Sequence, residues 1–182
     1  MPNYVRWREE GASYFFTVVT HLRRPIFSDA GARRLLKHAF VHARRASPFD
    51  MFACVLLPDH LHCIWTLPAC DDDFPARWAS IKRYFTHHYL RDGGVELPVT
   101  ASRDRKRGRG VWQPRYWEHR IRDEDDWYRL RDYIHLNPVK HGYVSRPEDW
   151  PWSSFHRHVR LGWLDASWPG SMPIQMAEIP GE

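Results

Sequence analysis

Leu57-Pro58-Asp59-His60-Leu61-His62-Cys63-Ile64-Trp65-Thr66-Leu67 is the stretch whose reading decides the fold. Pro58-Asp59 breaks an apolar run in two, so residues 52–57 and 60–67 read as strands joined by a tight turn, hence an antiparallel pair. Strand side chains alternate between faces, which puts His60 and His62 together on one side and turns Leu61 and Cys63 to the other. Two imidazoles so placed form a metal claw. Such a site needs a third ligand and an open position before it can do chemistry. Two histidines at this spacing also occur as a merely structural or exposed pair, so the rest of the chain has to supply the chemistry.

Upstream, residues 14–20 are β-branched and aromatic and read as a first strand, followed by a basic hinge at Arg23-Arg24-Pro25. Asp29 can cap a helix in which Leu35, Leu36, Ala39, Phe40 and Ala43 recur at helical spacing, until Ser47-Pro48 ends it. Downstream, Asp71-Asp72-Asp73 precedes a helix over about residues 75–90, with Trp78, Ile81 and Phe85 on one face and Lys82 and Arg83 beside it. Residues 92–110 hold Gly93-Gly94, Pro98 and the run Arg103 to Gly110. They have too little apolar content to pack and read as a mobile basic loop. Residues 111–120 supply a fourth strand. The order strand, helix, strand, strand, helix, strand is the split βαβ, ferredoxin-like pattern: an α+β fold with an antiparallel sheet and helices on one face.

A further helix begins at the acidic stretch Asp123 to Asp126, with Trp127, Leu130 and Ile134 at helical spacing. It carries Tyr133 and, one turn on, Asn137, so a phenol and an amide share a face. Pro138 disfavours helical geometry at Asn137, which predicts a bent or broken last turn. Residues 1–145 thus make one domain, and 146–182 an extension with a loop or short helix near 150–158 and a loose tail from Pro169.

The 182 residues carry a formal net charge of +5, but residues 161–182 alone carry −3, so the body is more basic than the sum. An Arg-rich body favours a polyanionic partner; a basic run like that of the loop is often only a solvated surface, and the charge of the whole body gives nucleic-acid contact a modest edge over that reading. Arg105, Lys106 and Arg107 in that loop, and Lys82, Arg83, Arg115, Lys140 and Arg157 elsewhere, are candidate phosphate contacts. Three unpaired cysteines fit a reducing compartment, and no apolar run approaches the roughly 20 residues of a membrane span, so a cytoplasmic protein is expected. There is no Gly-rich phosphate-binding loop, hence no expected nucleotide cofactor.

Together, the claw and the tyrosine suggest phosphoryl transfer. A metal on His60 and His62, with Asn137 as a candidate third ligand, would polarise a phosphate oxygen while Tyr133 attacked the phosphorus. A phosphotyrosyl ester keeps the energy of the broken phosphodiester, so a hydroxyl can later reverse the exchange. His119, His135 and His141 are candidate proton donors for the leaving oxygen, a role a metal or bound water could also fill. Strand alternation turns Cys63 away from the histidines, so Cys63 and Cys54 read as core.

His60-Leu61-His62 resembles the histidine-hydrophobe-histidine motif of HUH endonucleases. With residues 57–68, Trp112-Gln113-Pro114-Arg115-Tyr116-Trp117-Glu118-His119, Asp132-Tyr133-Ile134, Asn137-Pro138-Val139-Lys140-His141-Gly142 and Trp150-Pro151-Trp152-Ser153-Ser154-Phe155-His156, the chain resembles the REP-associated tyrosine transposases from about residue 4 to 168. The resemblance implies a divalent metal such as Mg or Mn, and cleavage of single-stranded DNA beside repetitive extragenic palindromic hairpins by a monomer or homodimer. It makes Tyr133 the nucleophile, forming a 5′-phosphotyrosine and freeing a 3′-hydroxyl, with His60 and His62 as metal ligands. Asn137 stands where insertion-sequence relatives place a glutamine ligand, and the insertion at 92–110 is longer than the family's connection. The alternative from another class is a non-cleaving regulatory protein that binds the hairpin and retains the fold.

Overall fold

In the computed structural model of the protein, which describes residues 8–168, the histidine strand is central. Strands β1 (Ser13–Val19), β2 (Asp50–Leu56), β3 (His60–Thr66) and β4 (Trp117–Arg120) form one antiparallel sheet in the order β2-β3-β1-β4. Helices α1 (Ala30–Ala46) and α2 (Phe74–Arg91) supply the two crossovers of the expected ferredoxin-like pattern. Both start at carboxylate caps, Asp29 accepting from the Ala32 amide and Asp73 from the Ala76 amide, as the sequence predicts.

Period-2 alternation gives the sheet two different faces. Tyr14, Phe16 and Val18 of β1 join Leu61, Cys63 and Trp65 of β3 in a large core under α1 and α2, where the Trp65 and Trp78 rings stack at 4.3 Å. Phe15 and Ile64 face the other way, with Ala53, Val55 and Leu57. There they meet α4 (Glu124–Lys140), whose Leu130, Tyr133 and Ile134 close a second core. The first two helices therefore cover one face, and the tyrosine helix, with Trp150 from the segment after it, covers the other.

Three expectations need correction. Helix α4 runs through Pro138 to Lys140, so its last turn forms despite the proline, and Asn137 is helical. Only residues 117–120 of the predicted fourth strand pair with β1. Trp112 makes a single bridge to Thr20, and the proline at 114 lies between the two. Residues 92–110 are not structureless: they contain the short helix α3 (Ala101–Arg105), capped by Thr100. Arg103 ties α3 to the carbonyls of Arg109 and Trp112, and Glu96 accepts from both the Arg109 guanidinium and the Gly110 amide. The run is thus anchored by its own charges.

The outer edge of β2 is covered by the segment after α4. The Leu56 amide donates to the Trp152 carbonyl at 2.9 Å, the Ser154 amide to the Cys54 carbonyl at 2.8 Å, and the Cys54 amide to Ser154 Oγ at 2.9 Å. This cover occupies donors and acceptors that an open edge strand would present to other chains. It leads into α5 (Phe155–Arg160). The tail expected from Pro169 onward lies outside the described residues. Among those described, no helix is long and apolar enough to cross a membrane.

Candidate active site

The site begins where β3 begins. His60 and His62 are buried, with ring centroids 5.0 Å apart, on the face that α4 covers. Each ring is held from behind by its Nδ1. Asp59 Oδ1 lies 2.5 Å from His60 Nδ1, and Thr17 Oγ1 lies 2.9 Å from His62 Nδ1; Thr17 sits directly opposite His62 in the β1–β3 register. An ionised carboxylate only accepts, so His60 Nδ1 donates to Asp59 and Nε2 is the nitrogen left to face a ligand.

Arg23 Nη1 holds the other Asp59 oxygen at 3.0 Å. Burial alone would raise the Asp59 carboxyl, but the hydrogen bonds and charges of His60 and Arg23 outweigh it and hold the group below its ordinary value. The turn that delivers Arg23 is costly. Leu22 and Arg23 both take left-handed backbone angles, φ 53° and 51°, which side chains with a Cβ rarely adopt.

His60 Nε2 is buried with no hydrogen-bond partner among the described residues. A buried lone pair left so costs about 1–3 kcal/mol, and a cation would satisfy it. The carboxylate-histidine arrangement behind it is the support that metal-binding imidazoles ordinarily have. These residues therefore fit a divalent ion. Among the described residues no group of three or more His, Cys, Asp or Glu side chains could hold one, so a third protein ligand would be of another kind.

Helix α4 brings the remaining pieces. The Tyr133 ring is buried, 5.2 Å from the His62 ring and 5.9 Å from that of Phe15. Asn137 is fully buried one turn further on, and Lys140 sets its ammonium 5.0 Å from the centre of the Tyr133 ring. Just beyond the helix, the His141 ring lies 5.3 Å from that of His60. Of the three histidines considered as proton donors, His141 is thus at the claw. His119 is bonded to Asp126 at 2.6 Å, and His135 to Ser154 at 2.9 Å.

The candidate phosphate contacts divide. Lys140 is at the tyrosine. Lys82, Arg83, Lys106 and Arg107 line a basic groove of about 990 Å³ between α2 and the 92–110 segment, with Arg105 exposed beside it. Lys82 is partly engaged there, donating to the Gln113 carbonyl at 3.1 Å. The groove reaches His21, which bonds the Pro98 carbonyl and Arg103 and begins the turn that ends on Asp59. Arg115 is exposed ahead of β4. Arg157 is placed differently: its guanidinium donates to the Met51 and Phe52 carbonyls, so those donors serve the edge of β2.

Sequence reasoning missed Asp59, Arg23 and Thr17 as supports for the claw. Asp59 could have been found, because a carboxylate next to a candidate ligand is a ready second partner. Thr17 depends on a register between distant strands that no local pattern reveals.

No family model matches the chain. It is 41% identical, over 94% of its length and 93% of the relative's, to the REP-associated tyrosine transposase of Escherichia coli (strain K12). It is 36% identical, over 97% of its length and 98% of the relative's, to a putative REP-associated tyrosine transposase of Haemophilus influenzae. Among solved structures, one of a REP-associated tyrosine transposase bound to a REP hairpin superposes with a TM-score of 0.82 at 39% identity, covering 99% of this chain and 98% of the other.

Proposed function

This chain belongs to the REP-associated tyrosine transposases, and from that premise we propose that it is a metal-dependent endonuclease and transesterase acting on single-stranded DNA beside REP-type hairpins. The observation that carries the reading is the approach of Tyr133 to His62, 5.2 Å between ring centroids, on the face where both histidines are tethered by Nδ1. Such a juxtaposition supports a nucleophile acting beside a metal claw, an arrangement that a hairpin-binding protein without chemistry would not need.

In this reading the Tyr133 oxygen attacks the scissile phosphorus and the bond to the 3′ oxygen breaks. A 5′-phosphotyrosine forms, and the phenolic proton is replaced on the freed 3′-hydroxyl, directly or through His141 or water. A divalent ion, Mg or Mn, held by His60 and His62 with Asn137 as third ligand, would supply positive charge to the non-bridging oxygens. Lys140 adds a fixed cation beside the attacking ring, favourable to a developing phenolate and to the phosphate it meets. Burial of Tyr133 and Asn137 keeps competing water away. The basic groove between α2 and the 92–110 segment, with exposed Arg105 and Arg115, contacts the phosphates of the hairpin.

The test is an end-labelled oligonucleotide carrying a hairpin and a single-stranded flank, incubated with the protein and Mn or Mg. A covalent adduct is expected with the wild-type chain and none with Tyr133→Phe. Tight binding without any adduct would establish the regulatory alternative, and an adduct that survives Tyr133→Phe would remove Tyr133 from its role.

A further inference from the structure

From the claw a strip of aromatic rings drawn from separate segments runs outward. His141 lies 5.3 Å from His60. Tyr143 follows at 6.0 Å, Trp150 at 5.4 Å from Tyr143, and Trp152 at 4.9 Å from Trp150. Two of these rings are not used up by the fold, since Tyr143 is 46% exposed and Trp152 39% exposed. Exposed rings of that size are commonplace singly. Two such rings joined through Trp150, and through His141 to the candidate site, are less so, because water contact with apolar surface is unfavourable.

The strip is also stiff. Trp150 Nε1 donates to the Leu56 carbonyl at 3.0 Å, the Tyr143 amide to the Pro138 carbonyl at 3.0 Å, and the Trp152 carbonyl accepts from Leu56. The Arg33 guanidinium sits 4.1 Å from the centre of the Trp152 ring and is itself fixed by the Phe27 and Ser28 carbonyls, each at 2.8 Å. A planar cation over one ring and Arg23 near the other end give the strip a positive border. Rings held in place and edged with fixed cations suit a ligand made of flat π-systems on a polyanionic backbone.

Resting on the reading above, we propose that Tyr143 and Trp152 form a stacking platform for the unpaired bases of the DNA flank, holding the single strand beside the claw while the basic groove holds the hairpin. Base pairs inside a duplex keep their faces stacked on each other; apart from the terminal pair, it is unpaired bases that offer a face to a protein ring. The platform therefore selects strand state more than base identity. It also accounts for the segment after α4 returning along β2: besides covering the edge, it sets Trp150 and Trp152 in line with Tyr143.

The experiment uses the full chain and two labelled oligonucleotides, one a hairpin with a single-stranded flank and the other the same hairpin ending flush, with affinities read by fluorescence anisotropy. Wild type should prefer the flanked hairpin. Trp152→Ala and Tyr143→Ala should each lose about tenfold or more on it, the effect of one lost base stack. Both should bind the flush hairpin as wild type does, which also certifies that they are folded, and Trp152→Phe should restore the preference. A wild type indifferent to the flank, an equal loss on both oligonucleotides, or a Trp152→Phe as weak as Trp152→Ala would overturn the platform. Adduct formation is scored on the same samples. A flank preference without any adduct would refute cleavage while supporting the platform, and an adduct without flank preference would do the reverse.

Discussion

The Tyr133 ring stands 5.2 Å from the His62 ring and nearly perpendicular to it, at 74°. One residue comes from a helix and the other from a strand, and the two elements touch only because α4 packs on the face of the sheet that α1 and α2 leave open. The meeting of these rings is thus a by-product of how the second core closes, with Phe15 against both.

The claw should report metal through stability, independently of any cleavage. Mn added at about 100 times its dissociation constant should stabilise the wild-type protein by about 2.7 kcal/mol, seen as a rise in melting temperature. His60→Ala should abolish the rise. Asp59→Asn, which keeps the shape but loses the carboxylate behind His60, should weaken metal about 10–100-fold. A rise that persists undiminished in His60→Ala would place the ion elsewhere.

Salt dependence should separate the groove from the claw. Lys106→Gln and Arg107→Gln should each weaken hairpin binding to a similar degree for all sequences and reduce the slope of log affinity against log salt by about 1. Arg157→Gln should leave that slope alone, because its donors are committed to β2. A lowered slope in Arg157→Gln would contradict this placement.

Arg77 is nearly fully buried, yet it donates to Asp71 twice, at 2.9 and 2.8 Å, and to the Pro48 carbonyl. Asp71→Ala would strand that charge and should cost about 3 kcal/mol in urea unfolding. The Asp71 carboxyl is held below its ordinary value by Arg77 first and the Asp73 amide second. A group depressed on folding contributes stability above its unfolded pKa of 3.8 and loses it as pH falls through the folded value. Stability lost on acidification should therefore shrink in Asp71→Ala.

His158 sits in a dry corner with Nε2 on the Phe52 carbonyl at 2.9 Å, facing His135, Arg131 and Arg157. Burial lowers its pKa below 6.5, Arg157 and Arg131 adding to this against the raising effect of the Phe52 carbonyl. The unfolded chain then binds the proton more readily than the folded one. Stability should be fully present above pH 6.5 and fall below it, by at most about 1.4 kcal/mol per pH unit for this group. Urea midpoints measured through that range should show a shallower fall in His158→Gln; an unchanged slope would exclude His158 as the source.

Local patterns revealed much of the architecture. The strand alternation around His60, the caps Asp29 and Asp123, and the helical spacing through Leu130 and Ile134 act over a few residues, so they can be read without knowing the fold. Of the residues that local pattern singled out, the rings of His60, His62 and Tyr133 meet in the structure, and Asn137 is buried one turn beyond Tyr133. What escaped depended on distance along the chain. Thr17 supports His62 through strand register, and Trp152 joins the aromatic strip because its segment doubles back on β2. Arg157 looks like any surface cation until α5 turns it onto the Met51 and Phe52 carbonyls. Pro138 misled because a packed helix face outweighs the preference of one residue, and Arg103 misled because a charge run can be satisfied by its own backbone.

Adjacent residues of β1 serve different masters. Phe16 belongs to the core beneath α1 and α2, while Phe15 lies 5.5 Å from the His62 ring. One strand thus feeds two compartments through alternate letters. Changes at Tyr14, Phe16 and Val18 act on the core beneath the paired helices and leave the surroundings of His62 to Phe15 and Thr17.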